Sequence, residues 1–207
     1  MNPKISIIVP TYNTPHLKKN IQQIKATLPK ISYEIIVVND GSKRFPKDLE
    51  SLGNLKVIRH PTNQGKGQAI IDGFKIAKGE IICFIDADLQ IPATLLKPYY
   101  EIMKGKRKPS ILIGSKRHKF SKVCYPFIRR VYSFGFQMIN KFMFGLSILD
   151  TQSGIKFFRK EVIKDLLPLL KTKGFAIDLE ILSLAQRKGY KILEGPIKIK
   201  ESFSRTF

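Results

Sequence analysis

Cysteine is scarce in this chain: only Cys83 and Cys124 occur in 207 residues. Cys83 lies in an apolar run that reads as a buried strand and Cys124 is far from it in sequence. Neither a disulfide framework nor a cysteine metal cluster is indicated, and a reducing compartment fits. Long apolar runs are missing too. The run Ile5 to Val9 is too short for a signal-peptide core, and no stretch of roughly 18 apolar residues occurs elsewhere, so the chain is expected not to cross a membrane by itself. No internal repeat or low-complexity segment is visible. Acidic residues are few, 16 against 37 Lys plus Arg, a net charge of +21. Such an excess implies anionic partners: nucleic acid, phosphorylated small molecules or an acidic membrane surface. The basic residues are spread along the chain without an arginine-rich tail, zinc-finger spacing or an RNA-binding aromatic signature, so no nucleic-acid partner is expected.

With 43% hydrophobic residues the chain can bury a full core, and a single domain over residues 1–207 is predicted. Ile5 to Val9 reads as a strand closed by Pro10-Thr-Tyr-Asn13, followed by helical spacing of Leu17, Ile21, Ile24 and Leu28. Glu34 to Val38 and Leu55 to Ile58 are further strands. After the first of these, Asn39-Asp40-Gly41-Ser42 suits a sharp turn where amides and an acid face a ligand, or an ordinary turn. Asn63-Gln-Gly-Lys-Gly67 opens a helix that ends at Gly79. Gly65 and Gly67 are read first as helix-entry glycines, although they could also bring amides close to a phosphate. Strands alternating with helices predict an α/β fold, Rossmann-like, with a mostly parallel central sheet and helices on both faces.

The stretch Gly79 to Pro92 organises the rest. Ile81 to Ile85 looks like a strand buried on both faces. It stops on Asp86 and Asp88, and in a turn these can converge on one hard cation, Mg²⁺ or Mn²⁺, with Gln90 as a third oxygen donor. The plainer alternative is a helix cap at Asp86 and a solvated turn residue at Asp88. Position favours the metal, because ligands of open α/β sheets collect at the carboxyl ends of strands.

Beyond a helix from Leu95 to Met103 and a strand at Ile111 to Ile113, the turn Gly114-Ser-Lys-Arg-His118 changes the character of the chain. Between Phe120 and Phe144 apolar residues at helical spacing alternate with Lys122, Arg129, Arg130 and Lys141. This pattern fits a helix lying on an anionic bilayer or one packed on the sheet. Asp150 to Arg159 is polar yet flanked by apolar residues, as in a segment lining a cleft. A helix follows from Val162, then another at Gly174 to Ala185 with Asp178 and Glu180 in its first turn. Lys191 to Ile199 reads as the final strand.

Taken together, Ile8-Val-Pro-Thr-Tyr-Asn13, Val37-Val-Asn-Asp-Gly-Ser42, Asn63-Gln-Gly-Lys-Gly67, Asp86-Ala-Asp-Leu-Gln90, Gly114-Ser-Lys116, Asp150-Thr-Gln-Ser-Gly-Ile-Lys156 and Asp178-Leu-Glu180 resemble family-two glycosyltransferases of the GT-A fold. Among these the chain is most similar to the polyprenyl-phosphate sugar transferases, the dolichyl-phosphate mannose and glucose synthases. The resemblance implies a nucleotide-sugar-binding half at 1–117 and an acceptor half at 118–207 with amphipathic, membrane-facing helices. It implies that Pro10, Tyr12, Asn13 and Asp40 hold the nucleotide. Asp86, Asp88 and Gln90 would hold the metal and donor diphosphate, and Lys66, Arg117 and Asp178 would contact substrate. Lys116, Arg129 and Ser133 match residues that face phosphates. Thr14 stands where the family usually has an acid, Lys116 where it has arginine, and Ile155 where it has phenylalanine.

The expected reaction is inverting hexose transfer from a GDP-mannose or UDP-glucose type donor to a polyprenyl phosphate, giving a β-linked product. A phosphate acceptor needs no strong base, and Lys116, Arg129, Lys156 and Arg159 would position it. With a hydroxyl acceptor, as in a transferase extending a glycan or lipid-linked oligosaccharide, a carboxylate must take a proton, Asp150 first and Asp178 second. The protein is expected to be cytoplasmic and peripheral on the cytoplasmic face of a membrane, with a separate membrane anchor subunit as a further partner. A non-catalytic membrane- or nucleic-acid-binding module is the remaining reading.

Overall fold

The computed structural model describes residues 2–28, 30–105, 109–121, 148 and 150–197. Its strands are β1 (Ile5–Thr11), β2 (Tyr33–Asn39), β3 (Leu55–Arg59), β4 (Ile81–Ile85), β5 (Ile111–Ser115), β6 (Ile155–Arg159) and β7 (Ile192–Pro196). They form one sheet in the order β3-β2-β1-β4-β6-β5-β7. All run in one direction except β6, which is antiparallel to both β4 and β5. The helices are α1 (Leu17–Ala26), α2 (Lys66–Ile76), α3 (Leu96–Lys104), α4 (Lys160–Leu166) and α5 (Ile177–Arg187). The mostly parallel α/β layout expected from the sequence is therefore present.

Because both faces of the sheet are covered, its central strands are apolar at successive positions rather than alternate ones. Ile5, Ile7, Val9, Val37, Cys83 and Phe157 pack towards α1 and α3, meeting Leu17, Ile21, Leu96 and Tyr99. Their neighbours Ile8, Ile36, Ile82, Phe84 and Phe158 turn the other way, onto Ile70 and Phe74 of α2, Val162 of α4 and Ile181 of α5. The polar segment read as cleft lining is half strand: Ile155 onward enters the sheet as β6.

The crevice follows from the strand order. Chain leaving β1 pairs on one side with β2, while β4 lies on the other side and pairs with β1 only over Ile5 to Ile8. Beyond that point β1 outruns β4, and the two carboxyl ends part at the place where the order of strands reverses. Pro10 falls in this unpaired stretch, so its missing amide breaks no ladder to β4.

One buried acid pins the opposite edge. Glu34 accepts hydrogen bonds from Ser6 Oγ at 2.6 Å, Lys56 Nζ at 2.7 Å and the Lys78 amide at 2.7 Å, tying β1, β2, β3 and the end of α2 together. Burial alone would raise its carboxyl. The bonds from Lys56, Ser6 and Lys78 overturn that and hold it below the ordinary glutamate range. A depressed folded-state value means stabilisation that is present above the unfolded value and lost as pH falls through the folded one. Glu34→Gln should therefore cost about 1–3 kcal/mol at neutral pH in denaturant unfolding. The gap to the natural protein should close as pH falls through and below the ordinary glutamate range.

Candidate active site

At the carboxyl end of β4 the chain turns sharply: the Asp86 amide donates to Gly154 O at 2.9 Å, and the Leu89 amide donates to Asp86 O at 3.1 Å. Leu89 adopts a left-handed conformation to complete the turn. Asp86 points its carboxylate at Lys66 Nζ, 2.8 Å away, and remains 37% exposed. Asp88 is exposed and accepts from the Gln90 amide at 3.2 Å and from Gln90 Nε2 at 3.0 Å. The three residues read as metal ligands thus occupy one short turn at the crevice. Gly154 fixes its depth, because a Cβ there would collide with Asp86 Oδ2.

Behind Asp86 lies a chain of alternating charges. Lys66 Nζ is 3.6 Å from Asp178 Oδ2, and Asp178 Oδ1 accepts from Lys156 Nζ at 2.6 Å. Lys156 also donates to Ser153 O at 2.6 Å and is wholly buried. Both ammonium groups lie over the Phe84 ring, at 5.2 Å for Lys156 and 5.8 Å for Lys66. Burial opposes the charge on Lys66, yet Asp178 and Asp86 more than restore it, so its ammonium is held above the ordinary range. Asp86 is raised, by burial first and by Asp178, with Lys66 opposing. Lys66, Lys156 and Asp178, widely separated in sequence, are thus brought to the turn that follows β4.

Lys66 is the first residue of α2, entered through Gly65 at φ 101°. The free amides at this helix start do not wait for a phosphate: those of Gly67 and Gln68 donate to Lys173 O at 2.7 and 3.1 Å. Any side chain at Gly65 or Gly67 would strike the 172–173 backbone, which explains both glycines by close packing. Glu180 holds that loop from the other side, accepting from the Lys171 and Thr172 amides at 3.1 and 2.9 Å.

The turns after β1 and β2 form the crevice's other wall and are bolted together. Asn13 donates its amide to Ser42 Oγ at 2.9 Å and accepts from the Lys43 amide at 3.1 Å. Tyr12 stands 51% exposed beside them. A groove of about 1110 Å³ opens next to this turn, lined by Asn13, Thr14, Lys18, Lys43 and Arg44, and the β4 acids do not reach it. Asp40, expected to face the nucleotide, is buried instead. Its oxygens accept from His60 Nδ1 at 2.7 Å and from the Gln64 and Gly65 amides at 2.8 and 2.9 Å. Asp40 therefore shapes the approach to α2. Sequence reasoning missed His60, whose other ring nitrogen lies 3.2 Å from Asp72.

Asp150 accepts the Lys116 amide at 2.9 Å and so holds the Gly114–Lys116 turn in place. Arg117 follows with its amide on Ser115 Oγ. Arg159, expected to help position the acceptor, lies apart from the other predicted residues. Because β6 is antiparallel, Lys156 pairs with Phe84 near the crevice, whereas Arg159 pairs with Ile81 at the far end. There it donates to Met103 O at 2.6 Å and Pro109 O at 3.2 Å, away from the acids that follow β4. Arg129, Ser133 and most of the amphipathic stretch lie outside the described residues.

A Rossmann-like sheet with one reversed strand, and an Asp-x-Asp-x-Gln turn at its crevice, define the GT-A class of glycosyltransferase fold. The chain belongs to glycosyl transferase family 2, whose sequence profile matches residues 6–167. It is 36% identical over 201 residues to a dolichol-phosphate mannosyltransferase of Pyrococcus furiosus, covering 93% of this chain and 55% of that protein. It is 30% identical over 228 residues to a dolichyl-phosphate beta-glucosyltransferase of Saccharomyces cerevisiae, covering 95% of this chain and 67% of that one. The chain thus spans little more than half of the first relative's length. In structure it is similar to glucosyl-3-phosphoglycerate synthase of Mycobacterium tuberculosis, crystallised with Mn²⁺, UDP-glucose and phosphoglyceric acid. The TM-score is 0.75 at 18% identity, over 99% of this chain and 73% of that one.

Two substitutions test these placements. Gly154→Ala should displace Asp86 and cost about 1–3 kcal/mol in denaturant unfolding, as overpacking does. Arg159→Met should cost about 1–3 kcal/mol of stability in denaturant unfolding, since two backbone carbonyls lose their donor.

Proposed function

We propose that the chain transfers a hexose, with inversion, from a nucleotide-diphosphate sugar to a polyprenyl phosphate at a membrane surface. One observation carries the choice of acceptor: both carboxylates that could take a proton from a hydroxyl are already engaged. Asp150 is bound to the Lys116 amide, and Asp178 is buried between Lys156 and Lys66. A phosphate acceptor brings its own anionic oxygen, so the site's work is to place it and not to deprotonate it. Lys116 is half-buried on its turn and forms no ion pair among the described residues, which suits it to that phosphate.

The donor half follows from the crevice. Tyr12 and the joined turns at Asn13 and Ser42 would flank the nucleotide, and Asp86, Asp88 and the Gln90 amide oxygen would hold Mg²⁺ or Mn²⁺. These are hard oxygen donors, the kind such ions take. An ion bound there would neutralise charge gathering on the departing diphosphate. The relatives' names supply the dolichyl-phosphate class of acceptor, and the Mycobacterium tuberculosis complex supplies the precedent for Mn²⁺ with a sugar nucleotide on this fold. A net charge of +21 and the exposed aromatic residues Phe120 and Phe175, beside Lys119 and near Lys173, support work at an anionic bilayer. Among the described residues no helix is long and apolar enough to cross a membrane. A peripheral place on the cytoplasmic face, with a separate anchoring subunit, completes the proposal.

The reading is tested by offering radiolabelled GDP-mannose and UDP-glucose with either polyprenyl phosphate or sugar acceptors. Label should pass to the lipid phosphate alone, give a β-linked product by NMR, and stop on chelation of divalent metal. Asp88→Asn should lower turnover by about a hundredfold or more. Asp150→Asn should lower it by less than about tenfold without changing the pH profile, since a lost general base costs about 10²–10⁴. Transfer to a sugar hydroxyl that dies with Asp150→Asn would establish the glycan-extending reaction instead.

A further inference from the structure

Three acids and two lysines meet at the crevice, and the two lysines are held very differently. Lys156 is wholly buried and pinned at 2.6 Å by both Asp178 Oδ1 and the Ser153 carbonyl. Among the described residues the ion-pair partners of Lys66 are Asp86 at 2.8 Å and Asp178 at 3.6 Å, and 16% of its side chain meets solvent. Its four-carbon stem starts at the first residue of α2, so the ammonium can turn without disturbing the helix. If Lys66 withdraws, Asp178 keeps Lys156 and only Asp86 is left without a cation.

Asp86 is also a carboxylate that a divalent ion would need. An ammonium and a doubly charged ion on one carboxylate repel each other strongly in a partly desolvated site. A donor diphosphate removes the conflict, because it offers Lys66 a new anion within a side chain's reach. We infer that the Lys66 ammonium is a built-in stand-in for the metal ion: it neutralises Asp86 in the donor-free protein and swings onto the donor diphosphate when the ion takes that carboxylate. This rests on the donor reading above. It makes metal and nucleotide mutually dependent, each binding well only after the other has settled the charge on Lys66 or Asp86.

The test is a titration of Mn²⁺, followed by electron paramagnetic resonance, into the natural protein, Lys66→Met and Lys66→Arg, alone and with saturating GDP or UDP. Lys66→Met should bind Mn²⁺ alone roughly tenfold more tightly and gain less from the nucleotide, while Lys66→Arg stays near the natural protein. Unchanged or weaker affinity for Mn²⁺ alone in a Lys66→Met protein that melts cooperatively overturns the inference. Should that variant not fold, the natural protein decides the matter by amine labelling at Lys66, read by mass spectrometry. Labelling should quicken with excess Mg²⁺ and slow again once the nucleoside diphosphate is added, and labelling indifferent to both overturns the inference. A natural protein that binds no Mn²⁺ with either nucleotide overturns the donor reading as well, which separates the two failures.

Discussion

An ammonium group without access to water must be neutralised where it stands, and in this fold that requirement falls on Lys156. Asp178, arriving from the first turn of α5, meets it at 2.6 Å over the ring of Phe84. Removing one member of such a pair leaves the other charge buried and costs about 3–5 kcal/mol. The pair therefore fixes where α5 docks on the sheet. The docking of α5 in turn sets Glu180, the 171–174 loop and the start of α2, and the start of α2 sets Lys66. The electrostatics of the crevice are inherited from one contact inside the core.

The polar interior is economical. Asp40, Asp150 and Glu180 each accept backbone amides from a loop that borders the crevice. Such bonds hold loops in fixed positions without a covering of apolar side chains, so their outward faces stay open to a ligand. Read from the sequence, Asp40 looks like a nucleotide contact and Asp150 like a proton acceptor, because a motif shows that an acid is needed at a turn and not which way it faces.

Much of the fold was legible in the chain. The apolar runs of β1, β2 and β4 and the helical spacing of α1 and α2 give the first half almost to the residue, since each strand is buried on both faces and each helix ends at a turn signal. Asp86, Asp88 and Gln90 were legible for the same reason: they follow the clearest buried strand. The second half was harder. β6 carries Lys156 and Arg159 among apolar residues, so it reads as a polar cleft segment, and nothing in its composition tells that it runs antiparallel. That direction buries Lys156 against Asp178 near the carboxyl end of β4 and puts Arg159 at the opposite edge. The links between Lys66, Lys156 and Asp178 depend on tertiary approach and have no local signature.

The reversal of β6 bears on how such a chain could diversify. In a parallel strand the crevice is reached on leaving the sheet, so the connection that follows is free to vary while the one before it is structural. For β6 the roles are exchanged: residues 150–154, on the way in, border the crevice, and α4, on the way out, starts at the remote edge. Changes that reshape the crevice should therefore collect upstream of this strand, and lengthening the chain downstream of it should leave the crevice untouched.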